Sequence, residues 1–209
     1  AKLATFLKDN PETNLADMAF TLFEGREHFE NRRVMSVSSI DEAIELLATP
    51  DQRRVFTHSA DDEDKKIVFM FPGGGAQYVD MARGIYQTQA VFKQEMDRGF
   101  TVLKELTHLD YKSYVFSENG NEAELAAELQ KPGIQLPLIF LTEYALAKQW
   151  ISMGVEPDAL IGHSMGENTA ACLAGVIEFK DAMGLVLLRG QLMDDVPEGG
   201  MLSVELPVQ

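Results

Sequence analysis

Ser164 stands between two glycines in the stretch Ile161-Gly162-His163-Ser164-Met165-Gly166-Glu167. A short apolar run, Pro157 to Ile161, precedes it and reads as a buried strand, and Asn168 to Ile177 reads as a helix. A G-x-S-x-G turn between strand and helix is the pattern of a serine nucleophile. The glycines remove side chains from a sharp bend, and the following helix aims its N-terminal N–H groups at a developing oxyanion. The competing reading is a chance match at an ordinary helix start.

Acyl transfer through Ser164 also needs an oxyanion hole, a base and a group that selects the acyl chain. A second glycine-bearing turn, Pro72-Gly73-Gly74-Gly75-Ala76-Gln77, follows an apolar run. It lacks the P-loop lysine, and Tyr78 breaks a dinucleotide fingerprint. It can place one backbone N–H opposite that of Met165, and the alternative is a plain tight turn. Arg189 sits in an apolar helical window and suits a carboxylate if it is not simply a surface arginine. Gln135 either donates to a substrate oxygen or caps a helix. Of the four histidines, His28, His58 and His108 read as packing or surface residues, and His163 reads as pointing away from its neighbour Ser164. No pattern suggests a metal site, and Cys172 reads as a small buried residue.

The elements that must position these residues alternate. The sequence predicts helices over 2–8 and 15–23, a strand over 32–38, a helix over 41–47, and a charged linker over 57–66. There follow a strand at 67–71, helices over 78–92, 92–109, 122–130 and 138–153, the elbow strand and helix, a helix over 180–196, and a strand over 201–206. The strand at 67–71 reads as central and covered on both faces. Alternation implies an α/β fold: a mostly parallel sheet with helices on both faces and a site at the carboxyl ends of the strands. Both glycine turns lie at that end.

The chain has 209 residues, one cysteine and a net charge of −15. The charge argues against nucleic acid or an anionic membrane surface as partner. The single cysteine excludes an intramolecular disulfide, and no window has the length of an apolar membrane span. The expectation is a cytoplasmic protein.

Phe71-Pro72-Gly73-Gly74-Gly75-Ala76-Gln77, Gly162-His163-Ser164-Met165-Gly166-Glu167 and Arg189-Gly190-Gln191-Leu192-Met193 together resemble the acyltransferase domain of modular polyketide synthases. They also resemble the related malonyl-CoA:acyl carrier protein transacylases. Leu15 to Leu22, Gly25-Arg26 and Arg32-Arg33-Val34 are similar to the linker domain that joins such a domain to a ketosynthase. The resemblance implies an α/β-hydrolase-like core with a mostly parallel sheet over 65–199, preceded by a small α+β linker domain over 1–64. Residues 200–209 would begin a ferredoxin-like subdomain that is largely missing.

It also implies roles. Ser164 would take an acyl group from coenzyme A and pass it to a carrier-protein phosphopantetheine thiol. Met165 and Gly74 would form the oxyanion hole. Arg189, 25 residues after Ser164, would bind the extender carboxylate, and Gln135, 29 residues before it, matches an active-site glutamine. His163 and Gln77 are further substrate-binding candidates. The family usually has glutamine at the Gly74 position, and Met165 leans towards malonyl. No tightly bound cofactor is expected; malonyl-CoA or a related acyl-CoA is the substrate. The partners are an acyl carrier protein, the adjacent ketosynthase and the rest of the synthase. The family's catalytic histidine lies C-terminal to the Arg189 motif, so the chain is expected to be an N-terminal portion with little activity alone. The competing functions are an α/β-hydrolase or patatin-like esterase and a non-catalytic docking fragment.

Overall fold

The longest apolar stretch becomes the longest helix among the described residues. In the computed structural model, which describes residues 2–59, 65–118, 120–197 and 199, helix α8 runs over Pro132–Ser152. From Leu136 to Ala145 every residue is buried. A helix that is apolar all round belongs in a core, and α8 is packed by α5 (Ala90–Thr107) and α10 (Phe179–Asp194). Leu138, Phe140 and Leu141 meet Met96, Phe100 and Leu103 of α5 and Met183 and Val186 of α10 in one cluster. The Phe179 ring lies 4.6 Å from that of Tyr144, and the Arg98 guanidinium covers it at 4.3 Å.

The sequence places the start of α8 at Leu138, but the helix begins six residues earlier. Pro132 takes the first helical position, where a missing N–H costs nothing. Pro137 then lies inside the helix and cannot donate to the carbonyl of Gly133, four residues back. The Tyr111 hydroxyl donates to that carbonyl instead, at 2.9 Å. Tyr111 is buried, and burial pushes its phenol up to about 12.

The chain divides into two compact units, Ala1–Asp64 and Lys65–Gln209. In the first, α1 (Lys2–Asp9), α2 (Leu15–Phe23) and α3 (Ile40–Ala48) accompany an antiparallel pair, β1 (Asn31–Met35) and β2 (Val55–Ser59). The register runs from Asn31 opposite Ser59 to Met35 opposite Val55. Asn14 Oδ1 caps α2 by accepting from Ala16 and Asp17, and Ser39 caps α3. Glu42 accepts from the Ser38 N–H and pairs with Arg54, and these bonds hold its carboxyl down to about 2. Strand β2 occupies part of the segment expected to be charged linker. Val55-Phe56-Thr57 are good strand formers, and pairing with β1 outweighs the acidic run that follows.

In the second unit, β3 (Val68–Phe71) and β4 (Ala159–Gly162) pair in parallel, from Val68 opposite Ala159 to Phe71 opposite Gly162. Helix α9 (Gly166–Leu173) packs on both strands, and α8 lies against α9. The expectation of a central strand covered on both faces is not met among the described residues: Val68 is 50% and Met70 75% exposed. The helix expected over 78–92 is shortened to α4 (Arg83–Thr88), because Asp80 and Ala82 take left-handed backbone and hold 78–82 as a loop. The short helices α6 (Lys112–Val115) and α7 (Glu122–Glu128) complete the unit. The strand expected over 201–206 lies outside the described residues. Among the described residues no helix is long and apolar enough to cross a membrane.

A carboxyl is buried inside this unit. Glu143 of α8 is 7% exposed and accepts the Thr169 hydroxyl of α9 at 2.6 Å, while its Oε1 has no partner among the described residues. Burial pushes its carboxyl up from 4.5 to about 7, against the opposing effect of the Thr169 bond.

Two outcomes follow from these buried polar groups. Tyr111→Phe leaves the Gly133 carbonyl without its donor and is expected to cost about 1–3 kcal/mol, read as a lower denaturation midpoint at unchanged m value. A carboxyl whose folded pKa is raised contributes its full stability below its unfolded pKa and loses it as pH climbs through the folded value. Wild type is therefore expected to lose roughly 3 kcal/mol relative to Glu143→Gln as pH rises from 4 to 8, by denaturant titration at each pH.

Candidate active site

Ser164 is held in a left-handed turn, φ 53°, at the point where β4 ends and α9 begins. Few side chains tolerate that backbone, and such strain marks sites that need a particular side-chain direction. The neighbouring glycines are required by space. A Cβ on Gly162 would lie 2.1 Å from the Glu167 nitrogen, and one on Gly166 would lie 2.3 Å from the Phe71 carbonyl oxygen. The strand ladder carries one residue past β4, with the His163 N–H donating to the Phe71 carbonyl at 2.9 Å. The turn closes with Gly166 donating to His163 and Glu167 to Ser164. Met165 opens α9, and its side chain is fully buried in the main core, which anchors the helix start.

The glycine turn after β3 lies against this elbow. A Cβ on Gly73 would stand 3.0 Å from the His163 carbonyl oxygen, 3.1 Å from the Ser164 Cβ and 3.2 Å from His163 Nδ1. The imidazole of His163 thus lies beside the loop. One residue on, a Cβ on Gly74 would stand 3.2 Å from Gln135 Oε1. The loop is therefore bounded by Ser164 at Gly73 and by Gln135 at Gly74. Gly75 takes φ 105°, and its N–H donates to Gln77 Oε1 at 2.9 Å, so Gln77 braces the loop. The N–H groups of Met165 and Gly74 find no acceptor among the described residues. Donors left unused in this way are what an oxyanion would require of them.

Arg189 reaches the site from α10. Its Nη2 donates to Ser164 Oγ at 3.3 Å, and among the described residues it forms no ion pair. Its position depends on a close crossing of α8 and α10. A Cβ on Gly190 would lie 2.5 Å from the Pro132 carbonyl oxygen, and one on Gly133 would lie 2.4 Å from Asp194 Oδ2. The Asp194 carboxylate accepts from the Gly133 N–H at 3.0 Å. The two glycines let the helices touch and bring Arg189 and Gln135 to the same end. Sequence reasoning missed this crossing; its signal is that Gly190 directly follows the arginine and Gly133 lies two residues before the glutamine.

Glu143 and Thr169 were also missed. An acid inside an apolar helix at Leu141-Thr142-Glu143-Tyr144 is the signal that could have found them. Cys172 is buried, and burial pushes its thiol up to about 11, so it is no nucleophile here. Among the described residues no cluster of three or more His, Cys, Asp or Glu is arranged to hold a metal. No imidazole hydrogen-bonds Ser164 among the described residues.

Residues 68–209 match the family described as acyl transferase domain, and residues 1–47 match one described as CurL-like, PKS C-terminal. Erythronolide synthase EryA2 of Saccharopolyspora erythraea is 34% identical over 210 residues, covering 97% of this chain and 6% of that protein. Orsellinic acid synthase of Emericella nidulans is 34% identical over 211 residues, covering 100% of this chain and 10% of that protein. The chain thus spans a small part of the curated relatives it matches. Among solved structures, the acyl transferase domain of ZmaA superposes with a TM-score of 0.88 at 41% identity, covering 94% of this chain and 45% of that one. An acyl carrier protein S-malonyltransferase from Vibrio cholerae gives a TM-score of 0.54 at 35% identity, covering 65% of this chain and 42% of that one. With one family match over more than half of its length and this degree of likeness to synthase relatives, the chain belongs to the acyl transferase domain family of polyketide synthases.

Proposed function

We propose that Ser164 accepts a carboxylate-bearing acyl group, malonyl first among them, from coenzyme A and hands it to the thiol of an acyl carrier protein. The observation that carries this reading is Arg189: a guanidinium 3.3 Å from the nucleophile Oγ, without an ion pair among the described residues, in a chain of net charge −15. A cation left without a carboxylate in so acidic a protein is available to one on the substrate.

The steps use this chain's own groups. Ser164 Oγ attacks the thioester carbonyl carbon and gives up its proton to a base. The carbonyl oxygen takes the negative charge and is met by the N–H groups of Met165 and Gly74. The C–S bond breaks, coenzyme A leaves as the thiol with the proton returned, and an ester remains on Ser164. The carrier-protein thiol then attacks that ester by the same path in reverse. Arg189 holds the free carboxylate throughout, Gln135 donates to a substrate oxygen, and His163 and Gln77 shape the entrance. That base is not supplied by an imidazole bonded to Ser164 among the described residues. Residues 1–64 act as the linker domain to a ketosynthase, and the core of 65–199 is hydrolase-like. The reaction partners are cytoplasmic.

Incubation of the 209-residue chain with malonyl-CoA is expected to add one malonyl group, slowly, by intact-mass analysis, and Ser164→Ala is expected to add none. Slow acylation is expected because a serine with its oxyanion hole retains part of its catalysis without the base. Arg189→Ala is expected to reduce malonyl loading about 10- to 100-fold relative to acetyl loading, the value of one charged hydrogen-bonding contact. An esterase would hydrolyse uncharged esters and be indifferent to Arg189→Ala. A docking fragment would form no ester with any acyl-CoA.

A further inference from the structure

The elbow is fixed on its strand side by the ladder between β4 and β3. On its helix side α9 is eight residues long and meets the core through Ala170, Cys172 and Leu173, with Met165 buried at its start. Apolar contacts of that kind permit sliding and rolling, whereas a hydrogen bond is directional. Among the described residues one hydrogen bond crosses from α9 to α8, the Thr169 hydroxyl donating to Glu143 Oε2 at 2.6 Å. Both residues are buried, Thr169 completely.

We propose that Glu143 and Thr169 are positioning residues that set the oxyanion-hole N–H of Met165 and the Ser164 hydroxyl against Gln135. Thr169 lies four residues, about one turn, beyond Met165 on the same side of α9. Glu143 lies eight residues, a little over two turns, beyond Gln135 on α8. The bond therefore joins the helix that carries Gln135 to the helix that Met165 opens, and it fixes both the height and the roll of α9.

The chemistry of the pair supports a positioning role. Glu143 lines an open apolar groove of about 620 Å³ between β3 and α8, beside Phe69, Phe71, Ile139 and Leu146, and its second oxygen has no partner among the described residues. A leucine would suit those surroundings better, because a buried carboxyl with an unmet oxygen destabilises a fold. A group that weakens the core while making one short directional bond is accounted for by the direction that bond imposes.

This inference rests on the acyl-transfer reading for one of its two measurements. Single-turnover acylation of Ser164 by malonyl-CoA is measured over a range of concentrations in the 209-residue chain. Thr169→Val and Glu143→Leu each remove the bond; Thr169→Ser and Glu143→Gln each preserve a donor and an acceptor. The bond-removing variants are expected to lower the maximal rate about 10- to 100-fold. Their half-saturating malonyl-CoA concentration is expected to stay within about twofold of the parent, as for a change in alignment without lost substrate contacts. The preserving variants are expected to restore the rate.

Amide hydrogen exchange over residues 165–168 is the second measurement and needs no turnover. It is expected to quicken in Thr169→Val and return in Thr169→Ser. If the parent forms no ester, the acyl-transfer reading fails and exchange alone decides the positioning role. Folded bond-removing variants with parent rate or parent exchange overturn the proposal. Failure of both bond-removing variants to fold also overturns it, because the pair would then be a plain structural element.

Discussion

The site depends on how closely the backbone of the elbow approaches the end of β3. With Gly166 in place, α9 can start where a side chain would overlap the Phe71 and Pro72 carbonyls. The Phe71 carbonyl then accepts the His163 N–H, so strand pairing and the nucleophile turn are one continuous structure. The left-handed conformation of Ser164 follows from this geometry, since the chain must reverse from strand to helix within two residues. Its strain is held by bonds on both sides. The loop after β3 benefits from the same approach. Gly73 can lie on Ser164 because it presents no side chain there.

A second close approach, at the N-terminal end of α8, places Arg189. Pro137 removes a donor from the first turns of α8, and Tyr111 replaces it at the Gly133 carbonyl. Gly133 thus has its carbonyl bonded to Tyr111, its N–H bonded to Asp194, and no side chain between α8 and α10. The N-terminal end of α8 is fixed in place by polar bonds, and α10 can cross it at backbone distance. Arg189, one residue before the crossing glycine, is carried to Ser164. Gln135, two residues beyond Gly133, is carried to Gly74.

Much of this was legible in the sequence where a residue type has a single physical use. The paired glycines around Ser164, the glycine run after an apolar strand, the caps Asn14 and Ser39, and the type and order of the helices all gave their meaning locally. The family resemblance added the spacing of Arg189 and Gln135 to Ser164, and the structure places Arg189 at Ser164 and Gln135 at Gly74. What escaped reading was settled by partners distant in the chain. Val55 to Ser59 becomes a strand because β1 lies beside it. The start of α8 at Pro132 relies on Tyr111 to offset Pro137, a compensation with no local signature. Glu143 looked like one charge in an apolar helix, and its meaning appears only when Thr169 of another helix stands beside it. The expected cover on both faces of β3 rested on an unbroken apolar run, but such a run states only what a strand can bury.

The electrostatics of the site are local in origin. A net charge of −15 would repel an anionic substrate if it acted as one uniform field. At physiological ionic strength, exposed charges are screened beyond about 8 Å. An anion at Ser164 therefore responds mainly to the groups within that distance. Asp194, on the same helix as Arg189, is bonded to the Gly133 N–H, while the Arg189 guanidinium donates to Ser164 Oγ. The start of α9 adds the positive end of a helix dipole beside the same hydroxyl. An acidic protein can thus hold one cationic position where an acid finds a backbone partner, as Asp194 does at the Gly133 N–H. The same Gly133 has no side chain at the crossing of α8 and α10, so one residue serves both the close approach that places Arg189 and the bond that Asp194 accepts.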